Sequence, residues 1–263
     1  MSLQSGSNGN CYYIGDENKG FLIDAGIGPR NIKKRLKEKG IELSQIRFIL
    51  ITHNHQDHIK GLVSFSKRNC IPFYLVEELV KPMMRHPFLR LDDVRANIMV
   101  FKTGILNSYN EDIDFIAFPV SHDAAYTVGY FIRFTDLNFL IITDLGYVPK
   151  EAMIYSQQSH ILVVESNYDV DMLIKGSYPH ELKCRVMGEH GHLSNEQCSD
   201  FLEAVLNGKQ RAIFLAHISN NNNTPNLALE SAKRAITKCG YKVDNDILLR
   251  ALDRDNPTEL FTF

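Results

Sequence analysis

Residues 52–58 read THNHQDH, which places three histidines and one aspartate in seven consecutive positions. In an extended segment, residues two apart point to the same side, so His53 and His55 can bind one metal ion together. Asp57 and His58 follow at once, and a turn there would aim them at a second ion nearby. Such clusters are typical of metal sites, whereas a chance grouping is rare. The stretch therefore predicts a site for two cations.

Ionisable side chains also follow six apolar runs that have the composition of strands. The runs FLI, RFILIT, FIAFPVS, FLIIT, ILVV and AIFLA are followed by Asp24, His53, His122, Asp144, Glu165 and His217, respectively. Sites form at the carboxyl ends of strands in open α/β sheets, because loops converge there while the strands stay rigid. One such residue is ordinarily the first solvated position after a strand, but six of them together indicate a shared site.

The motif needs ligands from elsewhere in the chain, because catalytic zinc takes about three protein ligands plus water. His122 is the natural third ligand of the first ion, His217 completes the second, and the two oxygens of Asp144 can bridge both. Nitrogen and oxygen donors suit zinc or manganese. The predicted ligands of the two divalent ions are His53, His55, Asp57, His58, His122, Asp144 and His217, and Asp57 is also predicted to be catalytic.

Composition sets the class of protein. The 263 residues contain no linker, repeat or charge block, which predicts one α/β domain over residues 1–263. No run approaches the ~18 apolar residues of a membrane span, and the five scattered cysteines form no C-x-x-C pair, which favours a reducing cytoplasm and no membrane contact. The net charge of −2 gives no general signal for nucleic acid.

The runs between these polar positions predict the secondary structure. Strands are expected at CYYIG, FLIDAG, RFILITH, DFIAFPVSH, VGYFIRF, NFLIITD, HILVVES and RAIFLAH. Helices are expected at NIKKRLKEKG, HIKGLVSFSKR, KEAMIYSQQ, NEQCSDFLEAVL and NLALESAKRAITKCG. Either Ser194 or Asn195 is the predicted N-cap of the fourth helix. Residues 81–110 are the least regular part and are interpreted as an excursion from the core.

The motif and its companions resemble the metallo-β-lactamase superfamily. THNHQDH matches the family's signature, and LIDAG, SHDA, TDLG and LAHIS occur in the family's order. The resemblance implies a four-layer αββα sandwich with the metals in a cleft at one edge of the two sheets. Asp24 then reads as the carboxylate that steadies the ligating histidines, although a turn residue at a strand end is the alternative.

Further segments, among them SGSNGN, FPVSHDAAYTVGY and GSYPHELKCRVMGEHGHLSN, look like the YycJ/WalJ group, which is related to ribonuclease Z. The resemblance implies a DNA exonuclease that works from 5′ ends. An aspartate at position 144 leans towards phosphoester or thioester hydrolysis rather than lactam chemistry. By similarity to ribonuclease Z, Glu165 pairs with His192, which protonates the departing oxygen, while a metal-bridging hydroxide attacks the phosphorus. A histidine that only braces its loop is the alternative for His192.

Small polar residues are candidates for phosphate contacts. They lie in the glycine-rich N-terminal stretch and after His217: Ser5, Ser7, Asn10, Ser219, Asn222 and Asn223. Backbone N–H groups in a glycine-rich bend suit anions, but an ordinary turn accounts for SGSNGN equally well. A weaker candidate for phosphate tracking is the basic set Arg85, Arg90, Arg95, Lys175, Lys183 and Arg185.

The sequence is compatible with three functions. A two-metal phosphodiesterase with a nucleic acid substrate, DNA in preference to RNA, fits the ligands and the candidate acid. A hydrolase of small or cyclic phosphodiesters or thioesters would use the same centre. A metal-stabilised module that binds nucleic acid without cleaving it would need neither the acid nor all seven ligands. The sequence does not decide the oligomeric state.

Overall fold

The computed structural model describes residues 1–87, 89 and 95–263, without the side chains of Ser66 and Lys67. Arg90, one of the candidate basic residues, lies outside the described residues. The contacts group into two compact units. Unit 1 comprises Met1–Thr103, Ala124–Tyr126 and Asp253–Phe263, and unit 2 comprises Gly104–Asp123 and Thr127–Leu252. That residues 1–263 form one domain stays a prediction.

Unit 1 contains a six-stranded sheet in which the strands follow one another in chain order. The strands are β1 (Ser2–Gly6), β2 (Gly9–Gly15), β3 (Gly20–Ile23), β4 (Ile46–Leu50), β5 (Phe73–Val76) and β6 (Ile98–Phe101). β1, β2 and β3 pair antiparallel, and β3 to β6 run parallel. Because β3 and β4 are parallel neighbours, Asp24 and the THNHQDH loop emerge at the same edge of this sheet.

Four α-helices belong to unit 1 among the described residues: α1 (Pro29–Lys37), α2 (Gln56–Ile59), α3 (Leu62–Asn69) and α4 (Glu77–Met84). The predicted single helix over HIKGLVSFSKR is wrong, because the chain breaks between α2 and α3 at Gly61. The Gly61 N–H donates to the Ala25 carbonyl at 2.6 Å. A Cβ at Gly61 would lie 2.5 Å from the Ile27 carbonyl oxygen. This close backbone approach redirects the chain after the motif.

Unit 2 contains a seven-stranded sheet in the order β13-β12-β11-β10-β9-β8-β7. The strands are β7 (Asn107–Asn110), β8 (Ile113–Pro119), β9 (Val128–Phe134), β10 (Leu137–Ile142), β11 (Ile161–Glu165), β12 (Ala212–Ala216) and β13 (Leu248–Ala251). β10 to β13 are parallel, and β7 to β10 are antiparallel. β8 therefore points the same way as β10, β11 and β12, and these four strands end at one edge.

The helices of unit 2 are α5 (Lys150–Ser156), α6 (Val170–Lys175), α7 (His180–Met187), α8 (Asn195–Val205) and α9 (Pro225–Lys238). α8 and α9 contribute Phe201, Leu202 and Ile236 to a core shared with β10, β11 and β12. Ser194, rather than Asn195, is the N-cap of α8, and its hydroxyl accepts from the Gln197 N–H in a capping box. The prediction of Ser194 is confirmed.

The predicted strands are confirmed, and continuous burial along β11 and β12 explains why their apolar runs are unbroken. The interpretation of residues 81–110 as irregular is wrong in part, since β6 and β7 lie there. Both are edge strands with exposed positions, and the sequence NSYN of β7 contains no apolar run. Among the residues that the structure describes, no helix is long and apolar enough to cross a membrane.

Candidate metal centre

The histidines of THNHQDH converge within unit 1. His53 follows β4 and is buried, and its ring centroid lies 4.7 Å from that of His55 and 3.9 Å from that of His58. His55 is the N-cap of α2, whose first turn carries Asp57 and His58. Asp57 Oδ2 lies 3.5 Å from His58 Nε2. The predicted turn after His55 is thus the start of α2, and it brings all four side chains together.

Asp24 directly follows β3 and supports this loop through hydrogen bonds. Its carboxylate is fully buried, accepts from His58 Nδ1 at 2.7 Å, and accepts from the Thr52 backbone and hydroxyl at 2.9 and 2.8 Å. Burial raises the pKa of Asp24, and the neighbouring His58 and Thr52 oppose that rise. These contacts support the role of a carboxylate that steadies a ligating histidine.

Asp24→Asn is expected to lower metal affinity by about 10–100-fold, as is typical when a carboxylate behind a ligating histidine is lost. Asparagine keeps the side-chain shape and tolerates the left-handed backbone at φ 58°. The change therefore removes only the negative charge and one of the two acceptor oxygens. The affinity is measured by competition with a chromogenic chelator. Asp16→Asn, in a surface turn of the same unit, is the control. Equal affinities in both variants would contradict the role.

The N-terminal stretch is a hairpin, with Ser7 and Asn8 as the turn between β1 and β2. The Ser5 hydroxyl is buried 2.9 Å from the Tyr12 hydroxyl. Asn10 is buried too, and its amide contacts Gly6, Asp57 and His58. Both side chains are buried and hydrogen-bonded within the fold, and their predicted phosphate contacts stay predictions. Ser7 is exposed, and its phosphate contact stays a prediction.

In unit 2, four predicted residues lie at the carboxyl ends of β8, β10, β11 and β12, at the same edge: His122, Asp144, Glu165, which is the last residue of β11, and His217. Asp144, Glu165, His192 and His217 each offer a ligand atom within 4.8 Å of the others. His122 Nε2 lies 3.9 Å from Asp144 Oδ1. The residues at the ends of these strands therefore lie close together within this sheet.

One carboxylate oxygen of Glu165 accepts hydrogen bonds from two histidines. Its Oε1 accepts from His192 Nδ1 and from His217 Nδ1, both at 2.8 Å, and its Oε2 accepts from the Leu145 and Leu193 N–H groups. Burial alone would raise the pKa of Glu165, but the two imidazoles hold it at about 2. The predicted Glu165–His192 pair is present, whereas the bond to His217 was not predicted.

His192 is suited to proton donation. Burial by itself lowers the pKa of its imidazole, but the charge and hydrogen bond of Glu165 outweigh burial and raise it to about 9. An imidazole with that pKa is protonated at neutral pH. Its ring centroid lies 5.1 Å from those of His122 and of His217. The contacts place an imidazole with a raised pKa beside candidate ligands, and its role as the acid stays a prediction.

Sequence reasoning overlooked Asp123. Its Oδ1 lies 3.3 Å from His122 Nε2, and its other oxygen pairs with Arg185. Asp123 directly follows His122 in the SHDA segment, and this adjacency is the signal that could have identified it. A second carboxylate thus lies beside this histidine.

The segment after His217 braces the site from within the fold. The Asn223 amide is buried, donates to the Ser166 and Asn167 carbonyls, and exchanges hydrogen bonds with Asn195. The predicted phosphate contact of Asn223 stays a prediction. Asn222 is buried as well. The contacts predicted for Ser219 and Asn222 stay predictions.

Three candidate residues have left-handed backbones: Asp24, Asp144 and His217, with φ of 58°, 57° and 55°. Such conformations cost about 1–3 kcal/mol for residues other than glycine and cluster at functional sites. Each of the three follows a buried strand, where the chain must turn sharply. No residue pattern in the sequence indicates this strain.

The donor sets fit a divalent cation. Nδ1 of His58, His122 and His217 faces the Asp24 carboxylate, the Gly191 carbonyl and the Glu165 carboxylate, at 2.7, 3.2 and 2.8 Å. Each contact favours a proton on Nδ1, and in the neutral imidazole this leaves the lone pair on Nε2, as metal-binding histidines require. Nitrogen and carboxylate donors of this kind suit zinc or manganese.

Comparison with known proteins agrees with this geometry. The model of the Beta-lactamase superfamily domain matches residues 19–218. The chain is 31% identical over 263 residues to "Exodeoxyribonuclease YycJ" of Bacillus anthracis, covering 98% of this chain and 96% of that protein. It is also 31% identical over 259 residues to "Exodeoxyribonuclease WalJ" of Streptococcus pneumoniae strain D39, covering 98% and 95%.

Solved structures share the fold. The metallo-β-lactamase fold protein YhfI from Bacillus subtilis superimposes with a TM-score of 0.71 at 11% identity, covering 97% of this chain and 95% of YhfI. The predicted fold class, the α/β metallo-β-lactamase sandwich, is therefore confirmed. The chain belongs to the metallo-β-lactamase superfamily of hydrolases, as its motifs predict.

Proposed function

We propose that this chain is a two-metal phosphodiesterase that degrades DNA from 5′ ends. The observation that carries the proposal is the constellation of Asp144, Glu165, His192 and His217 at one strand edge, where candidate ligands adjoin a candidate acid. Similarity to two proteins named exodeoxyribonucleases supports DNA as the substrate. The 5′ polarity rests on the resemblance to the YycJ/WalJ group alone.

The seven residues predicted from the sequence are the proposed ligands of two ions, Zn²⁺ or Mn²⁺: His53, His55, Asp57, His58, His122, Asp144 and His217. Bound divalent ions would supply an activated water and neutralise charge on the phosphoryl oxygens. Asp24 and Glu165 orient the imidazoles of His58 and His217 through their Nδ1 atoms. This holds Nε2 in a fixed direction and stabilises the ligating tautomer.

His192 is the proposed proton donor to the departing sugar oxygen. Glu165 keeps the imidazole charged and fixes its plane through Nδ1, so Nε2–H is the proton available to a substrate. A positioned acid contributes about 10²–10⁴-fold when the leaving group is a poor one such as an alkoxide.

Contacts to the nucleic acid beyond the scissile phosphate remain predictions for six residues: Ser5, Ser7, Asn10, Ser219, Asn222 and Asn223. Three members of the basic set are engaged within the fold: Lys175 pairs with Asp171, Lys183 donates to the Ile174 carbonyl, and Arg185 pairs with Asp123. The side chains of all three lie largely at the surface. If they contact phosphates along the strand, DNA binding should weaken steeply as the salt concentration rises. The cytoplasmic location also stays a prediction.

A substrate panel tests the proposal. Purified protein with Mn²⁺ or Zn²⁺ is offered 5′-labelled and 3′-labelled duplex DNA, single-stranded DNA, RNA and a chromogenic phosphodiester. We expect early release of labelled mononucleotide from the 5′-labelled duplex and gradual shortening of the 3′-labelled strand. Preference for RNA would indicate a ribonuclease. Rapid turnover of the small ester with intact DNA would indicate a hydrolase of small or cyclic diesters, and binding without cleavage would indicate a binding module.

A further inference from the structure

Asn10 connects the N-terminal hairpin to two candidate ligands. It is the second residue of β2 and is fully buried. The Gly6 N–H donates to Asn10 Oδ1 at 2.9 Å, and Asn10 Nδ2 donates to the Gly6 carbonyl at 3.1 Å. Only one orientation of the amide satisfies both bonds, so Nδ2 is fixed on the side of the Gly6 carbonyl.

The same Nδ2 carries a second hydrogen, and two candidate ligands lie within its reach. Asp57 Oδ2 is 3.2 Å away and His58 Nε2 is 2.9 Å away. Asp24 accepts from His58 at Nδ1, so Nε2 carries the lone pair. Since Nε2 is the nitrogen that would ligate an ion, Asp57 is the acceptor that Asn10 can keep when the centre is loaded.

The backbone leaves Asn10 little freedom relative to Asp57. The Gly26 N–H donates to the Asn10 carbonyl at 2.8 Å. A Cβ at Gly26 would lie 1.5 Å from the Asp57 carbonyl oxygen, so the two backbones are in direct contact there. The hairpin, Gly26 and Asp57 thus pack directly against one another. This packing holds the Asn10 amide beside the Asp57 carboxylate.

We propose that Asn10 is a positioning residue that orients the Asp57 carboxylate for metal binding by donating a hydrogen bond to Oδ2. The donor restricts rotation of the carboxylate and lowers the reorganisation that metal binding requires. This role rests on the proposed function, because it takes Asp57 as a ligand.

Asn10→Ala and Asn10→Asp test the role through metal affinity. Alanine removes the donor, and aspartate keeps the shape but presents an acceptor to Asp57. We expect both to weaken Mn²⁺ binding by about 10–100-fold in competition with a chelator. In Asn10→Ala, a higher Mn²⁺ concentration should restore most of the turnover rate. Cys11→Ala, which truncates a buried neighbour on the same strand, should lower the thermal midpoint but keep wild-type affinity.

Each other outcome has a distinct meaning. Wild-type affinity in both Asn10 variants would overturn the positioning role. Tighter binding by Asn10→Asp would overturn it as well, since it would assign position 10 as a direct oxygen ligand. If Cys11→Ala weakened Mn²⁺ binding equally, loss of hairpin stability would explain the effect of the Asn10 variants. The positioning role would then be overturned. Absence of Mn²⁺ binding by the wild-type chain would instead refute the proposed function itself, before any variant is compared.

Discussion

Asp144→Asn is expected to slow phosphodiester cleavage by about 10³-fold or more and to reduce the metal content below two ions per chain. Asp144 is buried, and its Oδ1 lies 3.2 Å from His217 Nδ1 and 3.9 Å from His122 Nε2. Asparagine replaces one carboxylate oxygen with an NH₂ group, which removes a negative charge and presents hydrogens to a cation. An ion that relied on the carboxylate is therefore lost or weakly held.

Asparagine is a sharper choice than alanine at this position. Asp144 has a left-handed backbone with φ 57°, which asparagine tolerates far better than other residues do. Asp144→Ala would add a backbone cost of about 1–2 kcal/mol to the loss of the ligand. Asp114→Asn is the matched control, because Asp114 is a buried aspartate of β8 whose partner is Arg133. Cleavage at the wild-type rate by Asp144→Asn would refute the assignment of Asp144 as a ligand.

His192→Ala is expected to leave the metal content unchanged and to slow DNA cleavage by about 10²–10⁴-fold. The loss should be far smaller for a p-nitrophenyl phosphodiester, because p-nitrophenolate departs readily without a proton. The hydrogen bond and charge of Glu165 raise the pKa of His192 to about 9, which favours the protonated form that the proposed role requires. The ratio of the two losses, from initial rates on both substrates, is the quantity that identifies a proton donor.

His190→Ala serves as the control for this variant. His190 lies two residues away in the same loop, and its Nδ1 contacts the Ser121 hydroxyl at 2.7 Å. It tests whether any disturbance of the loop slows the reaction. Equal losses on both substrates in His192→Ala would count against the acid role. Loss of metal from His192→Ala would reassign His192 as a ligand, a possibility its position beside Asp144 and His217 allows.

The sequence predicts the strand-end residues well because buried strands have a recognisable apolar composition. β10, β11 and β12 are buried along most of their length, so their runs are continuously apolar, and the first polar side chain after each run marks the edge. Asp144, Glu165 and His217 were found in this way. The Glu165–His192 pair, in contrast, was anticipated only from resemblance to ribonuclease Z.

Other features depend on contacts between distant segments, which no local pattern encodes. Asn10 looks like a turn residue, and only the pairing of β1 with β2 carries it to Asp57. The bond from His217 to Glu165 depends on the register between β11 and β12. β7, with the sequence NSYN, has no apolar run because it is an edge strand with exposed positions.

The number of metal ions per chain tests the central claim most directly. Protein stripped with a chelator, reloaded with Mn²⁺ or Zn²⁺ and freed of excess metal is analysed by plasma emission against its measured concentration. We predict two ions per chain, with activity returning only when both are bound. A fully active protein with one ion or none would contradict it.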